Sequence, residues 1–386
     1  MRKTTCRACG ESSVRLIYDF GPQPLAGEFP QLPESARQAA RFPLDLSQCD
    51  ACGLLQVTHL PPISAVFHDD YRYASSTVPG LVAHFVEYAA WLDARLPRGA
   101  SVLEFGCNDG VLLERLSERG HACVGVDASE NVATLARNKG ISVHTGFMTP
   151  DLIHAHALEA KFDLVTCSNV FAHIEDLQST INAARLALKP NGLFVIEVHD
   201  GDLVFRENQF ETIYHEHQSY FTERTLRRTL EKAGFAFHEC VRTPMHGGAL
   251  RLVSRLSDAS VVKPLAYAQD ERVDSSEFAA AIARCTADIR EAVQRYGMLD
   301  GYGAAGRAQM FINMTNTADC FAQVFDDSPM RQDRFVVGTN VPIRAFGESK
   351  AKACAILAWN YAADIASRVR GAYDLVFTVL PTRKVW

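Results

Sequence analysis

Apolar and polar positions along the chain form a regular alternation of short strand-like runs and longer helix-like runs. Between residues 67 and 257, the apolar runs suited to buried strands are 101–105, 123–127, 162–168 and 193–199, and each precedes a helix or turn signal. Strands that alternate with helices pair in parallel and are covered on both faces. The pattern therefore predicts a doubly wound α/β domain in this stretch.

The stretch from residue 258 onward shows a second α/β pattern. A helical periodicity covers roughly residues 262–296, and strand candidates follow at 320–325, 354–358 and 375–380. This pattern predicts a Rossmann-like C-terminal domain with a small sheet of its own.

Residues 1–66 differ from both α/β stretches. They contain two CxxC pairs and many prolines with little periodicity, which predicts a small, loop-rich module that a metal staples together. A chain of 386 residues is also too long for one hydrophobic core. We therefore predict three domains, which comprise residues 1–66, 67–257 and 258–386.

Charge and hydropathy narrow the classes of partner. The formal net charge is −6 and no long basic run occurs, which argues against nucleic acid and anionic membranes. No run of about 18 apolar residues and no secretory signal is present, so we expect a cytoplasmic enzyme, for which a monomer is plausible. An odd number of cysteines, 11, favours metal ligation over a complete disulfide framework.

The two CxxC pairs predict a zinc site. Each pair is followed by a glycine, and together they offer four thiolates in the tetrahedral arrangement that Zn²⁺ takes in closed structural sites. A closed site leaves no position for water, so the predicted metal stabilises the fold and does not catalyse. The alternative is four reduced cysteines in a core. The predicted ligands are Cys6, Cys9, Cys49 and Cys52.

At residues 102–110 an apolar strand runs into a glycine-rich turn that predicts a cofactor site. Gly106 lets a ligand approach the backbone closely, and Asn108 or Asp109 can reach its polar groups. Asp127 ends the next strand, where its carboxylate can accept both hydroxyls of a ribose. The predicted cofactor-binding residues are Glu104, Gly106, Asn108, Asp109, Gly110, Asp127, Ala128, Ser168 and Asn169.

Two classes of cofactor compete for this turn. A dinucleotide requires GxGxxG, which receives a pyrophosphate at a helix N-terminus, whereas Glu104, Asp109 and Asp127 would repel phosphate. The three carboxylates favour a cationic ligand without phosphate. S-adenosylmethionine, which carries a sulfonium and an ammonium, meets this requirement.

A rival motif lies in the C-terminal domain. Residues 301–306 read Gly-Tyr-Gly-Ala-Ala-Gly and match GxGxxG, and Asp326 follows 20 residues after Gly306. Alone, this spacing predicts an NAD-dependent oxidoreductase or epimerase. The turn could also be a structural strand-to-helix corner, or it could hold another diphosphate beside Arg307.

Three segments behind the CxxC pairs carry a family resemblance. They read Glu-Phe-Gly-Cys-Asn-Asp-Gly at 104–110, Asn-Val-Phe-Ala-His at 169–173, and Tyr-His-Glu-His-Gln-Ser-Tyr-Phe at 214–221. With these segments the whole chain resembles the sugar C-methyltransferases of deoxysugar biosynthesis. Those enzymes methylate a carbon beside the C4 keto group of thymidine diphosphate sugars, as in the making of branched antibiotic sugars.

The resemblance implies a role for each residue of the last two segments. His217 corresponds to the catalytic base, and Tyr214, Glu216 and His173 flank it, with Tyr73 or Tyr71 facing the sugar. The implied reaction transfers a methyl group to a carbon adjacent to the C4 keto group of a dTDP-linked deoxysugar, C3 in preference to C5, and the C-terminal domain helps to hold the nucleotide diphosphate. The implied substrate-binding residues are Tyr71, Tyr73, His199, Tyr214, Gly303 and Arg307.

The chemistry of carbon methylation supports these roles. A sugar carbon becomes a nucleophile when its proton is removed beside a carbonyl, so the enzyme needs a base and a donor for the enolate oxygen. Histidine suits the first task, and tyrosine or a second histidine suits the other. His215 and His217 could instead form a metal pair or solvated imidazoles of a polar loop. A non-enzymatic alternative is a zinc-dependent interaction protein on a retired methyltransferase core.

Overall fold

The computed structural model describes residues 3–62, 74–77, 79–257, 262–266, 272–274 and 276–386. Within these residues the strands form one four-stranded and two seven-stranded β-sheets. None of the described helices is both long and apolar enough to cross a membrane.

The N-terminal module is built on an antiparallel sheet. β1 (Val14–Gln23) pairs with β2 (Phe42–Cys49), and β2 pairs with β3 (Leu55–Val57). The short helix α1 (Pro33–Arg37) interrupts the connection between β1 and β2. Because Val14 is the register partner of Cys49, the β1–β2 pairing brings the two CxxC pairs to the same end of the sheet.

The central domain is a doubly wound sheet with the strand order β10-β11-β8-β7-β4-β5-β6. The strands β4 to β8 are parallel, and β11 runs antiparallel between β8 and β10. The chain leaves β4 toward β5 on one side and later returns to β7 on the other, so the carboxyl end of β4 is a topological switch point, where ligands bind in such sheets. In chain order the elements are α2 (Pro79–Asp93), β4 (Ser101–Phe105), α3 (Val111–Ser117), β5 (Ala122–Asp127), α4 (Glu130–Asn138), β6 (Ser142–Thr145), α5 (Pro150–Ala155), β7 (Phe162–Ser168), α6 (Leu177–Ala187), β8 (Leu188–His199), α7 (Gly201–Arg206), β9 (Ser219–Tyr220), α8 (Glu223–Lys232), β10 (Phe235–Thr243) and β11 (Ala249–Leu256).

The strand β9 belongs by sequence to the central domain but pairs elsewhere. Tyr220 is the antiparallel partner of Leu55, so β9 becomes the fourth strand of the N-terminal sheet. The next residue, Phe221, forms a bridge with Asp200 at the end of β8. The segment just after residues 214–217 therefore joins the N-terminal module to the central sheet.

The C-terminal domain contains a second, smaller doubly wound sheet. Its order is β14-β15-β13-β12-β16-β17-β18, with parallel pairing from β15 to β17 and antiparallel strands at both edges. The predicted Rossmann-like architecture is confirmed. The elements are α9 (Ser276–Tyr296), β12 (Leu299–Tyr302), α10 (Gly306–Thr315), β13 (Phe321–Phe325), β14 (Arg334–Phe335), β15 (Pro342–Arg344), β16 (Ala353–Ile356), α11 (Ala362–Val369), β17 (Leu375–Thr378) and β18 (Lys384–Val385).

The predicted helix at 262–296 is wrong over its first part. Residues 262–266 and 272–274 are not helical, and α9 begins only at Ser276. Pro264 has no N–H to donate, and Leu265 donates its N–H to the Glu231 carboxylate of α8. The Asp274 carboxylate accepts the backbone N–H of Ser276, which marks the true start of the helix.

The outer domains share one hydrophobic core. Leu44 and Leu46 of β2 belong to the same buried cluster as Phe278 of α9, Phe311 of α10 and Val324 of β13. The predicted domain boundaries remain predictions, but the core shows that the N-terminal module and the C-terminal domain pack as neighbours. The segment that carries Tyr214 and His217 lies where they meet the central sheet.

Candidate active site and metal centre

Four thiols lie together at the end of the N-terminal sheet. All four sulfur atoms lie within 4.8 Å of one another, with 3.5 Å between Cys6 and Cys52 and 3.6 Å between Cys9 and Cys49. Tetrahedral zinc with Zn–S bonds of about 2.3 Å places its sulfur ligands about 3.8 Å apart, so the donor set fits the metal. Each CxxC turn closes on a glycine with positive φ, Gly10 at 79° and Gly53 at 81°. The ion would hold the turns together and leave no open coordination position for catalysis.

The thiol cluster is also tied to the central domain. The Gln178 side chain of α6 donates to the carbonyl of Ala8 at 2.7 Å, and the Arg228 guanidinium of α8 donates to the carbonyl of Cys52. The buried Arg7 guanidinium, between the first two cysteines, donates to the carbonyl of Gln218 at 3.1 Å. Loss of the metal would therefore loosen the attachment of the module as well as the module itself.

The predicted cofactor turn leaves the carboxyl end of β4 in a left-handed conformation. Gly106, Asn108 and Gly110 have φ values of 63°, 52° and 76°, and Gly106 donates its N–H to the carbonyl of Val126. A Cβ at Gly106 would lie 2.2 Å from Val170, so no side chain fits there. The turn lies at the switch point, and its part in cofactor binding stays a prediction.

Asp127 lies beside this turn at the end of β5. Its carboxylate accepts the backbone N–H of Asn108 at 2.8 Å and that of Ser129 at 2.9 Å. Burial raises the pKa of Asp127, although these two N–H groups act in the opposite direction. A carboxylate has about four acceptor positions, so two remain for ribose hydroxyls. Ala128 follows as an exposed residue at the rim.

Two further carboxylates of the turn are buried without sufficient partners. Glu104 Oε2 and Asp109 Oδ1 accept no hydrogen bond from any described residue. Burial raises the pKa of Glu104 well above its ordinary value, and the negative charges of Asp127 and Asp109 add to the effect. Buried unpaired carboxylate oxygens are costly, and a cationic, hydrogen-bond-donating ligand would relieve that cost. The amino and sulfonium groups of S-adenosylmethionine fit this chemistry.

The next strand end, that of β7, adds Ser168 and Asn169 to the site. Ser168 Oγ donates to Glu197 at 2.7 Å, and Glu197 also accepts from His84 and Arg251. Burial alone would raise the pKa of Glu197, but His84, Arg251 and Ser168 hold it below its ordinary value. This network was not predicted from the sequence, although Glu197 within an otherwise apolar strand is a signal for it.

Three of the predicted catalytic residues, Tyr214, His217 and His173, lie close together. Tyr214 Oη is 2.8 Å from Nε2 of His217, and the ring centres of His173 and His217 are 4.8 Å apart. His217 Nδ1 is 3.0 Å from the carbonyl of Thr212, which can only accept. The Nδ1 atom therefore carries the proton, and Nε2 is the basic atom that accepts from Tyr214. Burial lowers the pKa of His217 well below its ordinary value, and the neighbouring His173 lowers it further, so the imidazole is neutral.

His215 and Glu216 turn away from the imidazole of His217 and hold the N-terminal module. His215 Nε2 lies 3.2 Å from the carbonyls of both Phe42 and Pro43, and one Glu216 carboxylate oxygen accepts the N–H of Gly27 at 2.9 Å. The ring nitrogens of His215 and His217 thus have separate backbone partners.

The substrate-binding candidates from other segments are placed as follows. His199, at the end of β8, donates from Nε2 to Gln209 at 2.9 Å, and burial lowers its pKa to about 3. Arg307, in the first turn of α10, forms an ion pair with the buried carboxylate of Glu211. Gly303 has φ of 91°, and a Cβ there would lie 2.4 Å from Ala358. Tyr71 and Tyr73 lie outside the described residues.

The GxGxxG turn of the C-terminal domain is largely filled by protein. Asp326 accepts the backbone N–H of Ala304 at 2.7 Å and forms an ion pair with Arg331 at 3.2 Å. A Cβ at Gly306 would lie 3.2 Å from Ala26 of the N-terminal module, which covers the N-terminus of α10. These contacts favour the structural interpretation of the turn over NAD binding.

The metal prediction is that the purified chain contains about one zinc ion and that Cys49→Ser releases it. Loss of one thiolate opens the tetrahedron, so the variant should lose at least about 2 kcal/mol of stability. Elemental analysis and thermal unfolding check this, with Cys123→Ser as the control outside the cluster. Metal-free wild-type protein with the stability of the zinc-containing form would contradict it.

The stability prediction concerns Glu216, whose pKa burial raises to about 7. Between pH of about 4 and about 7 the unfolded chain has released a proton that the native state retains, so the contribution of Glu216 to stability falls as pH rises. Glu216→Gln should therefore gain about 3 kcal/mol relative to wild type between pH 4 and pH 8. Urea unfolding across this range is the measurement.

A matched control for Glu216→Gln is Glu239→Gln. Hydrogen bonding to Arg95 lowers the pKa of Glu239, so the stability of Glu239→Gln relative to wild type should fall as pH rises. Because the site is exposed, this change should be smaller than that of Glu216→Gln. If the difference in the free energy of unfolding between Glu216→Gln and wild type does not change with pH, Glu216 titrates normally.

Three family models match consecutive parts of the chain. They describe a zinc-binding domain at residues 6–67, a methyltransferase domain at 74–239 and a C-methyltransferase C-terminal domain at 244–375. The curated C-methyltransferase NovU of Streptomyces niveus is 29% identical over 384 residues, which cover 93% of this chain and 90% of NovU. A ubiquinone biosynthesis O-methyltransferase of Hydrogenovibrio crunogenus is 36% identical over 96 residues, which cover 24% of this chain and 39% of that protein.

Solved structures are similar to about half of the chain. A 1,6-didemethyltoxoflavin-N1-methyltransferase of Burkholderia thailandensis has a TM-score of 0.37 at 23% identity and covers 46% of this chain and 79% of its own. The PH0226 protein of Pyrococcus horikoshii has a TM-score of 0.42 at 16% identity and covers 50% of this chain and 100% of its own. The three family models, which together span residues 6–375, and the near full-length relative support an S-adenosylmethionine-dependent C-methyltransferase with an N-terminal zinc-binding domain.

Proposed function

We propose that the enzyme methylates C3, the carbon beside the C4 keto group of a dTDP-linked deoxysugar, through an enolate. The observation that carries this proposal is the contact between Tyr214 and His217, with the Nδ1 proton of His217 held by Thr212. A neutral, oriented imidazole and an adjacent phenol are the base and donor that enolate formation requires.

His217 and Tyr214 would have separate roles in proton transfer. His217 would take the proton from the sugar carbon at Nε2 while the bond electrons move to the carbonyl oxygen. The single lone pair of Nε2 cannot accept from Tyr214 and from the sugar carbon at once, so the Tyr214 hydroxyl would first turn from Nε2 to the C4 carbonyl oxygen and donate to it as the enolate forms. S-adenosylmethionine, when bound at the Glu104–Gly110 turn, supplies an electrophilic methyl group.

The surroundings support a reaction in a water-poor site. His173 lies against His217, and burial lowers the pKa of His173, so neither ring is charged before the reaction. A positive charge on His217 after proton removal would attract the enolate oxygen more strongly in such an environment than in water. We further propose that Tyr71, Tyr73 and His199 contact the sugar, with Gly303 and Arg307 near its diphosphate.

The cofactor prediction is that Asp127→Asn weakens S-adenosylhomocysteine binding by about tenfold or more. The variant loses the negative charge that would accept ribose hydroxyls, and its amide oxygen keeps only one of the two backbone N–H bonds of the turn. Isothermal titration calorimetry measures the affinity, with Asp151→Asn on the exposed side of α5 as a control. An affinity equal to that of wild type would remove Asp127 from the cofactor site.

The catalytic prediction is that His217→Asn retains ligand binding but lowers turnover by about 10² to 10⁴, the usual share of a general base. Exchange of the sugar carbon's hydrogen with deuterated water should slow in parallel, because it needs the same proton removal without methyl transfer. NMR of the keto-sugar nucleotide with S-adenosylhomocysteine bound measures this exchange.

Two further variants sharpen the catalytic test. Tyr214→Phe should slow both rates less than His217→Asn, since neighbouring donors could still hold the enolate. If His217→Asn shows rates of exchange and turnover equal to those of wild type, His217 is not the base, and Glu216 or His173 becomes the next candidate.

A further inference from the structure

The turn that precedes His217 is held from the C-terminal domain. Glu211, in the middle of the 3₁₀ turn Phe210–Thr212, is buried, and its Oε1 accepts from Arg307 Nε at 3.2 Å and from Trp359 Nε1 at 2.9 Å. The second carboxylate oxygen has no partner among the described residues. Through this one oxygen atom, the turn that precedes His217 is connected to Arg307 and Trp359 of the C-terminal domain.

Arg307 is almost fully committed to this junction. Its Nη1 donates to the carbonyl of His246 at 2.6 Å, and its Nη2 donates to Glu211 and, at 3.5 Å, to Gln209. With the Nε contact, four of its five N–H donors face the described protein. Trp359 lies against the guanidinium, with 4.9 Å to the ring centre, and keeps it in place.

The residue after Glu211 determines the state of His217. The Thr212 carbonyl accepts from His217 Nδ1 at 3.0 Å and from the Tyr220 hydroxyl at 3.2 Å. The Thr212 side chain is fixed in turn by its hydrogen bond to the carbonyl of Gln209 at 2.9 Å. A shift of the turn would therefore move the acceptor that keeps the proton on Nδ1.

We propose that Glu211 is a positioning residue for His217, because its anchorage to Arg307 and Trp359 holds the Thr212 carbonyl against Nδ1 and keeps Nε2 unprotonated, the state in which it can act as base. The inference rests on the proposed role of His217. It assigns to the C-terminal domain a part in proton removal in addition to any part in nucleotide binding.

The consequence for catalysis follows from the two neutral forms of imidazole. If the acceptor at Nδ1 is lost, the proton can occupy Nε2, and that form cannot accept a proton at the nitrogen next to Tyr214. Glu211 itself is not among the proposed substrate contacts, so the loss should appear mainly in kcat, whereas a change in KM would report on its partner Arg307.

Glu211→Ala should lower kcat by about 10- to 100-fold with KM within about twofold of wild type. Glu211→Gln keeps an oxygen for both donors and should recover most of the activity. Trp359→Phe keeps the aromatic ring but loses one donor, so it should show a smaller loss than Glu211→Ala. Glu231→Ala, which removes a buried, ion-paired carboxylate in α8, is the matched control.

The decisive readout is ¹⁵N NMR of His217, which reports whether Nδ1 or Nε2 carries the proton. Glu211→Ala should shift population toward the Nε2–H form, and Glu231→Ala should not. Wild-type proton placement with a raised KM for the nucleotide sugar would overturn the proposal and assign the junction to diphosphate binding. If Glu211→Ala does not fold, the same measurements are made on Trp359→Phe. A His217 spectrum and a kcat that both equal those of wild type in Trp359→Phe would then reject the proposal.

The His217→Asn variant separates this inference from the proposed function. If His217→Asn is active, His217 is not the base, and the junction around Glu211 has no base to position. An inactive His217→Asn enzyme combined with unaltered proton placement and kcat in Glu211→Ala would reject only the positioning role.

Discussion

The segment at residues 209–217 is largely buried and rich in polar side chains, and burying such groups costs free energy unless they find hydrogen-bond partners. Here the partners come from every part of the molecule. His215 uses carbonyls of β2, Glu216 uses the N–H of Gly27, and Glu211 uses Arg307 and Trp359. The relative placement of the three domains and the geometry around His217 are therefore set by the same hydrogen bonds.

The two halves of the site have opposite electrostatic requirements. The cofactor turn concentrates buried carboxylates, among them Glu104 with a raised pKa, and such a site is completed by a cation. On the other side, burial lowers the pKa values of His199 to about 3 and of His246 to about 4, with the charge of Arg307 as a further cause. Imidazoles that stay neutral add no positive charge to that of Arg307 on this side of the site.

Features encoded at short range were predictable from the sequence. The CxxC spacing, the turn after β4 and the strand alternation each depend on residues that are near neighbours, and the four thiols do lie together. The false helix start had a local cause, since Pro264 stands inside the periodic pattern.

Contacts between distant segments could not be predicted in the same way. Glu197 pairs with His84 across 113 positions, and Glu211 pairs with Arg307 across 96. A single sequence shows that such charges exist but not which of them meet, because burial and partner choice arise only when the sheets pack. The roles proposed for His217 and its neighbours rest on the family resemblance together with the geometry that the fold produces.

The pairing of β3 with β9 has a consequence for the growing chain. Residues 55–57 leave the ribosome about 160 residues before Ser219 and Tyr220, which at about 5–20 residues per second is a delay of about 8–30 s. During that interval the N-terminal sheet has an open edge, and strand edges are templates for wrong pairing. All four cysteines are already available then, so metal capture by the nascent chain would give the module its shape before its last strand is synthesised. The supply of zinc during translation would thus affect how much of this enzyme reaches its native state.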